Sequence, residues 1–165
     1  MSDRWSKLTA AFAVAAIAAA VANFAYQAKR ANSRPEGSIW FYNIKTHELF
    51  AASDLSVPPI DTKAGPATGV RAYVFTPDED PNPTNRFIAF LETLTPETKK
   101  EAEADLKRLG SQAGIGFALE KRTDGILVSA PEPIEWHPKF SQEGIDIMEA
   151  GKAKGGSAHP KPSLP

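Results

Sequence analysis

The spacing of hydrophobic positions divides the chain into regimes. From Leu8 to Ala28 they run without a charge, "LTAAFAVAAIAAAVANFAYQA". From Ser38 onward they come in short runs separated by Pro, Gly, Asn and Asp, the punctuation of strands and turns. Between Thr95 and Gly110 they recur at helical spacing, and after Gly151 they nearly stop.

The first regime is long enough to matter. As a helix it would be roughly 30 Å long, the thickness of a bilayer's hydrocarbon core. Trp5 and Tyr26 stand near its ends, where interfacial aromatics are favoured. Two leading readings compete: an uncleaved single-span anchor, and a signal peptide cut after Ala20-Val21-Ala22. A buried soluble helix is the third. The length and the basic cluster Lys29, Arg30 and Arg34 favour the anchor. Each flank carries similar positive charge, so the positive-inside rule does not set the orientation. Both leading readings permit a domain outside the cytoplasm, and that is the expectation. Residues 31–37, "ANSRPEG", form a linker, and Pro35 and Gly37 end any helix there.

The second regime predicts a domain over 38–150. Strands are expected near 39–44, 48–52, 70–75, 86–92, 115–121 and 126–130, pairing mainly antiparallel because their connections are short. Between the first two lies "NIKTHE". A type I turn over 44–47 leaves His47 left-handed, a conformation in which His is enriched among non-glycine residues. Residues 57–69 read as an extended connector. One helix starts at Thr95 as N-cap with Pro96 in its first turn. It carries the stripe Ala102, Leu106 and Leu109, an i,i+4 pair Glu103–Lys107, and Gly110 as its stop. Thr123-Asp124-Gly125 is a turn, residues 131–140 are irregular, and Ser141 caps a short second helix. Residues 151–165 read as a disordered tail. The fold class is therefore α+β: a hydrophobic N-terminal helix, then a small antiparallel sheet with one long and one short helix.

Composition removes several chemistries. There is no cysteine, which excludes disulfides, thiolate metal sites and Cys nucleophiles. The formal net charge is −1, against the basic footprint of nucleic-acid binding. Arg71, Tyr73 and Phe75 share a strand face that could stack bases. The charge balance makes them core aromatics beside a snorkelling Arg instead. Asp78, Glu79 and Asp80 lack the spacing of a calcium loop. Gly114-x-Gly116 lacks the partners of a nucleotide loop. The three histidines are His47, His137 and His159. A composite site of His47, Glu48, Glu135 and His137 needs the hairpin tip to meet the 131–140 loop, and nothing in their spacing requires it. No catalytic, cofactor-binding or metal-ligating residue is assigned.

The motifs "WFYNIKTHELF" (40–50), "PPIDT" (58–62), "GVRAYVF" (69–75), "RFIAFLETLTPETK" (86–99) and "SQEGIDIM" (141–148) follow an order of their own. That order resembles a group of small, uncharacterised single-span envelope proteins of planctomycete-type bacteria. The resemblance implies one hydrophobic helix followed by a compact domain, and Gly in place of His47 in many members. It also implies cysteines after the "RAYVF" strand, where this chain has Thr76-Pro77-Asp78. It carries no assigned activity.

Together these features point to a single-pass membrane protein of the cell envelope, tethered through residues 8–28. Its expected role is a non-enzymatic interaction module with a protein partner and no nucleic acid. One alternative is a secreted or tethered hydrolase using His47/Glu48 and Glu135/His137. Another is a pseudopilin-like subunit, although no acid occurs in the apolar run.

Overall fold

A computed structural model describes residues 37–77, 85–109, 123–156 and 160–165. The apolar run 8–28, the acidic triplet 78–80, the expected strand 115–121 and His159 lie outside the described residues. Among the described residues no helix is long and apolar enough to cross a membrane.

The domain is α+β, with an antiparallel sheet and two helices. In chain order the strands are β1 (Ser38–Asn43), β2 (Glu48–Ser53), β3 (Ile60–Thr62), β4 (Gly65–Thr76), β5 (Phe87–Leu94), β6 (Ile126–Ser129), β7 (His137–Pro138) and β8 (Lys161–Pro162). The helices are α1 (Pro96–Leu109) and α2 (Gln142–Ala153). The sheet runs β2-β1-β4-β5-β6-β7, with β3 and β8 each pairing β4, and every pairing is antiparallel.

β4 is the spine. Its alternation puts Val70, Ala72 and Val74 on one face with Tyr42 and Leu91, closed over by Ile134 and Trp136 from the segment after β6. The opposite face carries Arg71, Tyr73 and Phe75. There Phe75, Phe90 and Val128 receive Ile147 and Met148 of α2. Leu94, Ile126 and Val57 pack with Ala102 and Leu106 of α1 in a third cluster. Thus the stripe expected on α1 is its buried side at Ala102 and Leu106.

A bulge sets where α2 sits. Tyr73 pairs with Phe90 and Val74 with Ile88, leaving Ala89 without an opposite residue. Gly151 of α2 lies directly on the Ala89 carbonyl, closer than any Cβ would allow. The Ser141 cap is made as expected: its Oγ accepts from Gly144 N–H at 3.1 Å. At α1, Thr95 Oγ1 accepts from Thr98 N–H at 3.4 Å. Glu103 pairs with Lys99 at 3.7 Å rather than with Lys107.

Three expectations are corrected. The extended connector expected over 57–69 is largely strand: β3 occupies 60–62, and β4 begins at Gly65 rather than near residue 70. His137 and Pro138 form β7 against Val128 and Leu127, so the 131–140 stretch is not wholly irregular. The tail is not simply disordered. α2 runs on to Ala153, Pro162 pairs with Phe75, and Ser163 N–H donates to the Val74 carbonyl at 2.8 Å. That pairing partner lies some 85 residues upstream, so no local pattern signals it.

Candidate functional site

The β1–β2 corner is built from Asn43. Its buried side chain accepts from Lys45 N–H at 2.9 Å and Thr46 N–H at 3.2 Å, an Asx turn. Its amide donates to Thr62 Oγ1 at 2.9 Å, tying the hairpin to β3. His47 closes the corner with φ of 59°, in the left-handed region, and its N–H donates to the Asn43 carbonyl at 2.8 Å.

The hairpin tip does meet the loop after β6, but through a different acid from those expected. His47 Nδ1 lies 3.0 Å from the Tyr42 hydroxyl and 3.1 Å from Glu132 Oε1. Burial, and secondarily the Glu132 charge, push the Tyr42 hydroxyl above its ordinary pKa. Glu48 turns away to accept from the Thr46 hydroxyl at 3.0 Å. Glu135 offers its backbone N–H to Ser129 Oγ at 2.8 Å, and His137 is held in β7. His47, Glu48, Glu135 and His137 are therefore not assembled into one site. Among the described residues no three His, Asp or Glu are grouped to hold a metal.

A buried charge cluster sits at the centre of the α2-covered face. Glu92 is 2% exposed. It accepts from Lys139 Nζ at 2.6 Å and from the Tyr73 hydroxyl at 3.1 Å, with Arg71 at 3.7 Å. Tyr73 stacks on Phe90 at 4.3 Å, and Arg71 lies 4.8 Å over its ring. Burial, reinforced by the Glu92 charge, raises the Tyr73 hydroxyl far above its ordinary pKa, with Arg71 opposing. The aromatics that could have stacked bases are thus spent inside the fold. With every partner internal, the cluster's chemistry is that of a pin between β4, β5 and the entry to α2. Sequence reasoning placed Glu92 only at a strand end. The signal available was a lone acid inside the apolar run "RFIAFLETL", opposite an equally lone Arg71.

Among the described residues, the outer edge of β2 has no strand partner. Asp54 N–H donates to the Gly37 carbonyl at 2.7 Å, and His47 N–H to that of Asn43. Strand alternation then turns the backbone groups of Glu48, Phe50 and Ala52 toward β1. Those of Leu49, Ala51 and Ser53 turn outward. The strand is six residues long, in unbroken register with β1, without Pro or bulge and with its one charge at its start. The far edge of the sheet is different: β7 is two residues long and ends in Pro138. β3 and β8, which pair only β4, are three and two residues long, so among the described residues β2 is the one long edge strand without the usual protections against strand addition. A groove of about 580 Å³ lies on the inner side of β2, between Glu48 and Phe50 on one wall and Asp61 and Lys63 on the other.

No family model, curated protein or solved structure matches this chain.

Proposed function

We propose that the protein is a membrane-tethered, non-enzymatic envelope module that takes up a protein partner along the free edge of β2. The observation that carries this reading is that edge. An extended segment added there finds the outward groups of Leu49 and Ala51 at strand spacing, and a rim of Leu49, Phe50 and Ala51 beside them. The uncharged run Leu8–Ala28 supports the tether, and the likeness to single-span envelope proteins supports the compartment. The domain then lies outside the cytoplasm.

The test uses the full chain in the membranes of its own cell, with benzoylphenylalanine in place of Ala51. Irradiation should give a discrete protein adduct in the carbonate-resistant membrane fraction. The same probe at Lys100, exposed on α1, should give none. Absence of any adduct at position 51 would contradict the reading of β2. Release of the chain by carbonate would contradict the tether.

A further inference from the structure

We infer that the strand added to β2 is β2 of a second copy of this chain, paired antiparallel about a two-fold axis. This rests on the reading of β2 as a docking edge and names its occupant.

The sequence of β2 fits itself. In a two-fold antiparallel pair, residues opposite each other lie on the same sheet face, so an even-numbered position meets an even-numbered one. Two central registers are then available. One sets Phe50 opposite Phe50 of the second copy, Leu49 opposite Ala51, and Glu48 opposite Ala52. The other sets Ala51 opposite itself, Leu49 opposite Ser53, and Glu48 opposite Asp54. The second brings two acids face to face, which is destabilising. It also asks Ser53 for a carbonyl that already accepts from Ser56 N–H at 3.0 Å. The first register has neither fault. Leu49 and Ala51 face outward, so they exchange N–H···O=C bonds with the second copy, and the two-fold doubles the set.

Side-chain packing agrees with that register. Phe50 already lies beside Phe41, the rings tilted by 33° with centroids 6.0 Å apart. The Phe50 ring leans inward over β1 toward Gly69, so the two Phe50 side chains lie back to back across the axis without collision. On the other face Leu49, which packs with the Tyr42 cluster, meets the small Ala51. Large against small avoids steric conflict and leaves no charge buried. The contact is isologous and closed, so it stops at two copies and does not grow into a fibre. One strand edge is a smaller contact than a stable soluble interface, which buries about 1,200–2,000 Å². Pairing therefore depends on the effective concentration that a shared membrane provides.

The absence of cysteine makes the register directly testable. Glu48 and Ala52 of the second copy form a non-hydrogen-bonded pair, the closer of the two antiparallel spacings and within disulfide reach. Full-length Glu48→Cys and Ala52→Cys chains are reconstituted, separately and mixed, in phosphatidylethanolamine/phosphatidylglycerol vesicles and oxidised. The mixture should give at least ten-fold more disulfide dimer than either variant alone. Adding Ala51→Pro to both chains should abolish it with the melt unchanged, because that substitution removes an outward N–H and no internal one. No disulfide in the mixture, or equal yields in the single-variant samples, overturns the proposal. The photo-adduct at position 51 separates the two readings. A mass of twice the chain supports the second copy. A different protein overturns the second copy and leaves the edge as a docking site. No adduct overturns both.

Discussion

At the scale of single residues, His47 and Asn43 show how a local rule becomes structure. Asn43 supplies the turn's side-chain acceptor, and His47 takes the left-handed corner that the β1–β2 register requires. The contacts of His47 to Tyr42 and Glu132 sit at a half-exposed tip, where an ion pair contributes about 0–1 kcal/mol. Replacing His47 by Gly removes that contribution and relieves the backbone, so the variant should melt within about 1 kcal/mol of the natural chain. His47→Val should cost a further ~1 kcal/mol or more, since a β-branched residue is strained at positive φ. Equal melts for the two variants would remove the corner's conformational role.

Tyr73 gives a pH dependence with a definite sign. Its folded pKa is raised above the ordinary value of 10.0 by burial and by Glu92. A raised group contributes its stability in full below the unfolded pKa and loses it as pH rises toward the folded one. Stability should therefore hold up to about pH 10 and fall above it. Denaturant titrations between pH 9 and 11.5 should show this fall in the natural chain and a shallower one in Tyr73→Phe. Identical slopes would mean that the buried hydroxyl does not control the alkaline limit. Only the Arg71–Tyr73 alternation and the lone acid Glu92 were legible locally, and not their meeting with Lys139. Lys139 reaches Glu92 across 47 residues, and only the pairing of β5 with β4 and β6 brings the three strands' residues under α2.

At the scale of elements, the sequence read best where the information is short-range. The hairpin corner, the Thr95 and Ser141 starts of the helices and the alternation of β4 all depend on residues within a few positions of each other. It read worst where an element exists only through a distant partner. β7 and β8 are two residues each and carry proline, so nothing in their own composition marks a strand. The seat of α2 belongs to the same class. A glycine in a helix interior is normally a weakness, and Gly→Ala there stabilises by roughly 0.5–1 kcal/mol. At Gly151 the sign should invert, because a methyl would meet the Ala89 carbonyl, which is backbone and cannot step aside. Gly151→Ala should destabilise by about 1–3 kcal/mol, the usual range for overpacking. A stabilised Gly151→Ala variant in chemical denaturation would show that α2 does not sit on the bulge.

At the scale of the whole described domain, the two sheet faces and the β7 edge are closed by the chain itself. Helices cover one face, Ile134 and Trp136 help cover the other, and β7 ends its edge in a proline. Among the described residues, β2 alone leaves outward backbone groups in a straight six-residue row. This is why the function is sought at that edge and not at the four residues whose types first suggested chemistry. Residue type alone could not reveal it, because openness belongs to the order of strands in the sheet.

The most direct measurement is amide hydrogen exchange on the full chain, dilute in detergent and then packed in vesicles. In the dilute state the amides of Phe50 and Ala52, turned to β1, should exchange slowly. Those of Leu49 and Ala51 should exchange at nearly the rate of free peptide. In vesicles the Leu49 and Ala51 amides should become protected as well. Protection of Leu49 and Ala51 in the dilute monomer would mean that another part of the chain already covers β2, and the account of a free docking edge would be wrong.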